Sequence, residues 1–266
     1  MNFKNRFSWY QSVQLIISDV VKSSFPRYWD EDQITYSILK KLTSVQKEVS
    51  IESESAEQAK MKVMWDAFKN TTKLKTEQTY GDMGILVRLQ FEPGKFIEGV
   101  AFCEMKLAKY VNLDNSRCKF DAVRDEQLTR LAKNSENHRI VLYDILPDEN
   151  KPITYSIPTN HAIGYGEVSR KLYKFSEDWA YTFTNRFLRG YELNYSQKAV
   201  SDLKNFAATK GGVDYLVVAC CTISNKDIEL DLGSVLTDFS VSDMHHVSRR
   251  YPSISSEKDD VELNEP

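Results

Sequence analysis

The spacing of hydrophobic residues changes along the chain, and the first part predicts helices. Residues 7–22 repeat apolar side chains with helical spacing, and Pro26 ends that repeat. Asp30 has the position and side chain of an N-cap, and the helix that follows it is expected to run to about Lys47. The segment 50–70, "SIESESAEQAKMKVMWDAFKN", predicts a third helix. Its apolar stripe would consist of Met61, Met64, Trp65 and Phe68.

The middle of the chain alternates as strands do. One strand is expected to present Ile85, Val87, Leu89 and Phe91 on one face, and "EPGK" at 92–95 has the Pro and Gly of a type II turn. The return strand then covers residues 96–107. A helix over about 121–134 and a buried apolar strand over 139–146 follow.

The second half of the chain gives weaker patterns. Residues 147–166 hold three of the seven prolines and predict a loop or lid, and residues 167–193 predict two helices broken near Ser176. A helix is expected over 198–209 and a second buried strand over 213–224. The polar, acidic residues 249–266 predict a disordered tail. We therefore expect one domain over 1–248, with N-terminal helices at 7–47, a core at about 53–146 and a C-terminal extension at 147–248.

Composition narrows the class of protein. The 266 residues are 41% hydrophobic and 27% charged, which is typical of a globular protein, and the net charge of −3 argues against bulk coating of nucleic acid. None of the four cysteines has C-x-x-C spacing, so neither a zinc site nor a disulfide framework is expected. With no secretory leader and no apolar run near 18 residues, we expect a reduced, cytoplasmic protein that does not cross a membrane.

Charged residues at the predicted hairpin form the strongest candidate site. Because side chains alternate along a strand, Glu104 and Lys106 share one face at the end of an apolar strand. Pairing residue 92 with residue 95 sets Asp82 opposite Met105, next to Glu104 but on the other face. A one-residue bulge at Gly81 or Gly84 would bring Asp82 to the face of Glu104.

Two carboxylates this close repel each other unless a cation lies between them. Mg²⁺ prefers oxygen ligands and is often held by one or two carboxylates together with phosphate and water. An ammonium beside it, that of Lys106, could position or activate the attacking water or stabilise charge on phosphate. The pattern therefore predicts a site for phosphodiester hydrolysis, with Asp82 and Glu104 holding the metal.

The hairpin motif, "GD-(x)21-E-M-K", resembles the PD-(D/E)XK nuclease superfamily, which is similar to restriction endonucleases. The resemblance implies an α/β (α+β) fold with a mixed central sheet flanked by helices. It also implies a metal ligand from the carbonyl of Met105 and a catalytic role for Gln127 in "DEQLTRL". Some members add a Glu from the first core helix, for which the candidates are Glu31, Glu54 and Glu57. One departure is that Gly81, not Pro, precedes the acid.

The expected function is a Mg²⁺-dependent endonuclease acting on DNA, with Mn²⁺ as a substitute metal. The resemblance implies a restriction or anti-phage role, a homodimer formed through the N-terminal helices, or a complex with a defence-system partner protein. The alternatives are a non-catalytic nucleic-acid-binding or scaffold protein on the same fold, and a nuclease acting on RNA or single strands.

Two further motifs have ordinary explanations. The same acid-x-Lys spacing recurs at Glu149–Lys151 and Asp202–Lys204, where solvated charges explain it. Cations interleaved with aromatic residues over 170–190 suggest either a nucleic-acid surface or an amphipathic helix pair.

Overall fold

The structure is a computed structural model that describes residues 1–52, 60–70, 80–110, 118–120, 125–135, 137–146, 149–166, 168–206, 212–239 and 244–247. The strands are β1 Asn2–Phe3, β2 Glu48–Ile51, β3 Lys60–Asn70, β4 Met83–Glu92, β5 Lys95–Tyr110, β6 Cys118–Phe120, β7 His138–Leu146, β8 Lys151–Pro158, β9 Glu177–Asp178, β10 Tyr215–Ser224 and β11 Met244–His246. The α-helices are α1 Arg6–Ser24, α2 Glu31–Gln46, α3 Asp125–Asn134, α4 Thr159–Tyr165, α5 Trp179–Tyr181, α6 Gln197–Phe206 and α7 Leu232–Leu236.

Ten of the described strands form one mixed sheet, so the protein is of the mixed α/β class. The order is β1-β2-β3-β10-β4-β5-β7-β8-β9. The tenth strand, β11, pairs with residues 68–70 of β3, whereas β2 pairs with residues 61–64 of β3. The pairs β1–β2, β10–β4 and β5–β7 are parallel, and the other pairs are antiparallel. The short strand β6 pairs with the end of β5.

The two predicted N-terminal helices are confirmed, and they cover one face of the sheet. Asn5 caps α1 through the N–H of Ser8, and Asp30 caps α2 through the N–H of Gln33. Trp9 is buried between the helices and donates its indole N–H to Gln46 at 3.0 Å. The cluster below these helices includes Ile17, Ile34, Leu42, Trp65, Val87, Ala101, Met105 and Tyr143.

The helix predicted over residues 50–70 is wrong, because residues Lys60–Asn70 form strand β3. This strand has neighbours on both faces: Trp65 packs under α1 and α2, while Phe68 packs in a second cluster on the opposite face. Apolar residues therefore occur at both odd and even positions, and the mixture imitates helical spacing. Residues 53–59, the start of the predicted helix, lie outside the described residues.

The loop or lid predicted over residues 147–166 is also wrong, because this segment holds β8 and α4. Pro152 and Pro158 lie near the two ends of β8, and its outer neighbour β9 pairs with only Tyr155 and Ser156. A proline near the end of a strand with little pairing on one side loses few ladder hydrogen bonds. Proline content was therefore a poor guide to this segment.

The strand predicted over 213–224 is confirmed as β10, and it lies in the middle of the sheet between β3 and β4. The predicted break near Ser176 is confirmed as well: a 3₁₀-helix at Arg170–Phe175 precedes it, and α5 continues through a π-turn and a 3₁₀-turn to Arg189. The predicted tail at 249–266 lies outside the described residues. None of the helices described here is both long enough and apolar enough to cross a membrane.

Candidate metal centre

The β4–β5 hairpin sets the register of the candidate site. Glu92 pairs with Lys95 as expected, and Gly94 has the positive φ (+73°) that the type II turn requires. The register then shifts by one residue between Gln90 and Glu92, so that Met83 pairs with Cys103. Continuing this register by one residue sets Asp82 beside Glu104. The expected bulge therefore exists, but it lies at the turn and not at Gly81 or Gly84.

Asp82 is held at the entrance to β4 by two backbone contacts with β5. Its N–H donates to the carbonyl of Cys103 at 2.9 Å, and its Oδ2 accepts the N–H of Met105 at 2.7 Å. The preceding residue, Gly81, has φ +92°, which L side chains rarely adopt. A Cβ there would lie 2.7 Å from the carbonyl oxygen of Cys103, so only glycine allows this approach.

Glu104 and Lys106 project from the same face of β5, as predicted, and both are buried. The Nζ of Lys106 lies 2.6 Å from the Oε1 of Glu104, with side-chain exposures of 10% and 4%. Gln127 on α3 donates its Nε2 to the same Oε1 at 2.6 Å. Gln127 therefore reaches the predicted site and fixes the orientation of the Glu104 carboxylate.

Glu31 brings a third carboxylate to this group from the first turn of α2. Burial raises its pKa to about 7, with further contributions from Lys106, which lowers it, and from Glu104, which raises it. The sequence offered Glu31, Glu54 and Glu57 without ranking them. Glu31 lies beside Lys106 and Glu104, whereas Glu54 and Glu57 lie outside the described residues.

The start of α2 is fixed against the sheet by two tyrosine side chains and one backbone carbonyl, which come from three strands. Thr35 Oγ1 lies 3.1 Å from the hydroxyl of Tyr143 on β7, and the hydroxyl of Tyr215 on β10 donates to Asp32 Oδ1 at 2.6 Å. Trp29, just before the helix, donates its indole N–H to the carbonyl of Ala108 on β5 at 2.8 Å. These contacts hold Glu31 near the hairpin acids.

The charges of the group are unbalanced. Burial raises the pKa of Asp82 well above its ordinary value, and the neighbouring Glu104 and Glu31 raise it further. Burial lowers the pKa of Lys106, but Glu104, Asp82 and Glu31 outweigh burial, so its pKa is raised. Three carboxylates thus share one ammonium, and an added cation would relieve their repulsion.

His138 on β7 lies behind this group. It is 2% exposed, and its Nδ1 lies 2.6 Å from the hydroxyl of Thr159. Burial lowers its pKa, a backbone hydrogen bond with Tyr80 raises it and Lys106 lowers it, with a net pKa of about 3, so the ring is neutral at neutral pH. A Cβ on Gly81 would come within 2.9 Å of its Nε2, which shows how closely β7 approaches the Asp82 turn.

The donor atoms suit a hard divalent cation. Asp82, Glu104 and Glu31 offer carboxylate oxygens, the ligand type that Mg²⁺ prefers. Within the described residues, no group of three Asp, Glu, His or Cys side chains is arranged so that it could hold a metal ion. Mg²⁺ commonly takes only one or two carboxylates and completes its shell with water and substrate oxygens, so the donor set fits this metal. A ligand role for the Met105 carbonyl stays a prediction.

An open cleft of about 710 Å³ adjoins the acidic group. One wall comes from the segment between α1 and α2, with Phe25 and Trp29, and the opposite wall from the end of β5, with Leu107 and Lys109. Glu31 belongs both to this cleft and to the acidic group. The cleft was not expected from the sequence, although "SFPRYWDE" places three aromatic rings just before Glu31.

The other motifs take part in ordinary ion pairs. Lys151 lies 3.9 Å from Glu149 on an exposed turn, while Asp202 pairs with Lys198 and Lys204 pairs with Glu98. In the segment 170–190, Arg170 is bound by Asp144 and Arg186 by Glu177. These contacts favour a structural role for that segment over a nucleic-acid surface.

Comparisons with known proteins add no further information about this site. No protein-family model, no curated protein and no solved structure matches the chain.

Proposed function

We propose that the protein is a Mg²⁺-dependent endonuclease of the PD-(D/E)XK type, which hydrolyses phosphodiester bonds in DNA. The observation that carries the proposal is the convergence of Asp82, Glu104 and Lys106 at one hairpin. Gln127 and Glu31 join them from two helices that flank the sheet.

The order of elements supports the same class. Helix α2 precedes strands β3, β4 and β5, and helix α3 connects β5 to the parallel strand β7. This order agrees with the mixed central sheet flanked by helices that the resemblance implies, although β10 lies between β3 and β4 in the sheet. Because a fold alone does not define an activity, the proposal depends on the side chains at the hairpin.

Each residue has a role in the hydrolysis of the phosphodiester bond. Water attacks phosphorus and one P–O ester bond breaks, so negative charge builds up on the phosphate and on the leaving oxygen. Lys106, which its three acidic neighbours keep protonated, stabilises that charge and positions the water. Gln127 orients Glu104, and the Met105 N–H orients Asp82.

Asp82 and Glu104 would hold the metal. The metal, when bound, would neutralise the acids and polarise the phosphate. Glu31, with a pKa of about 7, is ionised in part at neutral pH and is the side chain best suited to accept a proton from water.

A cleavage assay tests the proposal. Supercoiled plasmid, single-stranded DNA and RNA are each incubated with the protein in Mg²⁺ or in EDTA. We expect Mg²⁺-dependent cutting that Lys106→Met reduces by a factor of about 10² or more, since methionine fills the space of the lysine without its charge. The matched control is Lys151→Met, which changes an exposed lysine with the same acid-x-Lys spacing at the start of β8.

Each result of this assay selects one function. Equal cutting by the wild type and Lys106→Met would remove Lys106 from the mechanism. Binding of nucleic acid without cutting of any substrate would favour the non-catalytic alternative, and cutting of RNA alone would replace DNA as the substrate. The restriction or anti-phage role, the homodimer and the defence-system partner rest on the resemblance and stay predictions.

A further inference from the structure

We infer that the cleft between Phe25 and Lys109 binds one unpaired nucleobase beside the scissile phosphate, which makes single-stranded or locally opened nucleic acid the substrate class. The inference rests on the proposed function, because it takes the acidic group as the place of cleavage. It is carried by the rings, the size and the charge of the cleft.

The aromatic wall is rigid and presents a ring to solvent. Trp29 is tied to β5 by its 2.8 Å hydrogen bond to the Ala108 carbonyl. Phe25 stands at right angles to this indole, with ring centroids 5.1 Å apart, and is 37% exposed. A fixed, exposed ring loses little entropy on contact, and every base has a π-face that can stack on such a ring.

The size of the cleft fits a nucleotide rather than a duplex. Its volume of about 710 Å³ lies in the range of sites that take single small molecules. A base that is paired and stacked within a helix cannot also lie between Phe25 and the end of β5. The occupant must therefore be unpaired, either in a single strand or turned out of a duplex.

Charge indicates which part of the nucleotide enters. Asp30 and Glu31 line the cleft, so a phosphate there would meet two acids. Their oxygens are acceptors, which suits the amino groups of adenine, cytosine or guanine. Lys109 also lines the cleft and is exposed, and Lys106 lies beside Glu104, so a backbone phosphate next to the cleft would meet these two cations. A base in the cleft thus leaves its phosphate next to the acidic group.

A binding assay with 2-aminopurine in a single-stranded 12-mer tests the inference, because stacking on an aromatic ring quenches this base. Lys106→Met is the background in every sample, with Mg²⁺ present, so cleavage does not interfere. We expect Phe25→Ala to weaken binding about tenfold and to abolish the quenching, while Phe25→Trp retains both. The matched control is Phe7→Ala, which removes a ring that is 63% exposed on α1, outside the cleft.

We also expect the 12-mer duplex of the same sequence to bind at least tenfold more weakly than the single strand. Equal binding by Phe25→Ala and Phe7→Ala, or a duplex bound as tightly as the single strand, would overturn the inference. Binding that depends on Phe25, without Mg²⁺-dependent cleavage by the wild type, would remove the nuclease proposal and keep the cleft. If Phe25→Ala leaves Mg²⁺-dependent cleavage unchanged, the nuclease proposal is kept and the cleft is removed as a binding site.

Discussion

Glu31 is a residue whose charge opposes the stability of the fold. In the unfolded chain it has the ordinary pKa of a glutamate, whereas burial in the native protein raises its pKa to about 7. Between these two values the native state keeps a proton that the unfolded state has released. Stability therefore falls as pH rises through this window, and the full cost is present above pH 7.

Glu31→Gln should remove this cost. We expect the variant to be more stable than the wild type at pH 8 by about 2 kcal/mol, and the two to converge near pH 4. Urea unfolding at both pH values measures the difference. Glu149→Gln, at a side chain that is 64% exposed, is the control and should change stability by less than about 0.5 kcal/mol at either pH. If the free energy of unfolding changed with pH in the same way for the wild type and Glu31→Gln, Glu31 would not be buried among charges.

Among individual residues, the sequence identified those that share one hairpin. Glu104 and Lys106 could be placed on one face because strand alternation is a local property. Glu31 could not be chosen from its rivals, because 73 residues separate it from Glu104 and only the packing of α2 brings it there. Gln127 was found through the resemblance, and it lies 2.6 Å from Glu104, while its catalytic role stays a prediction.

At the level of elements, the turn before β4 depends on one glycine. Gly81 combines φ +92° with a backbone oxygen 2.7 Å from where its Cβ would be, and Asp82 follows directly. Gly94, in the hairpin turn, has a similar φ of +73° but open space around it. Substituting alanine at each position therefore distinguishes two costs: backbone strain alone at Gly94, and strain together with a clash against the Cys103 carbonyl at Gly81.

Gly81→Ala should destabilise the protein by about 3 kcal/mol or more, since strain and a clash with backbone add together. Gly94→Ala should cost only about 1 kcal/mol, from strain alone. Thermal unfolding of both variants gives the comparison. If the proposed function is right, Gly81→Ala protein that remains folded will also lose cleavage, because Asp82 is displaced. Equal destabilisation by the two substitutions would contradict the close approach of β4 and β5.

The elements that could be predicted are those marked by helical spacing, by a turn signal or by a largely apolar run. Helices α1 and α2 show helical spacing, the turn at 92–95 marks the hairpin of β4 and β5, and β7 and β10 are largely apolar, and the structure confirms all of them. Strand β3 alternates at Met61, Val63, Trp65 and Ala67, but Met64 and Phe68 from the other face interrupt this alternation and imitate helical spacing. The bulge between Gln90 and Glu92 left no signal in composition, although it decides that Asp82 faces Glu104.

The whole molecule is held together by a strand from near the end of the chain. β10 pairs with β3 over ten residues and with β4 over seven, and its side chains enter the clusters on both faces of the sheet. The expected division into a core and a C-terminal extension treats these residues as peripheral. In the structure they separate the strand β3 from the hairpin that carries Asp82 and Glu104.

A chain that ends at residue 212 should therefore fail to fold. Without β10, both β3 and β4 would expose unpaired backbone and apolar side chains such as Trp65 and Leu86, which favours aggregation over a smaller stable domain.

A chain that ends at residue 248 keeps β10, β11 and the 2.5 Å contact between His246 and Asp66. It should match the full chain in stability to within about 1 kcal/mol, because it loses only the acidic tail that composition predicts to be disordered. Circular dichroism and size-exclusion chromatography of the two chains compare them, and a folded, monomeric 1–212 chain would show that the hairpin site belongs to a core independent of β10.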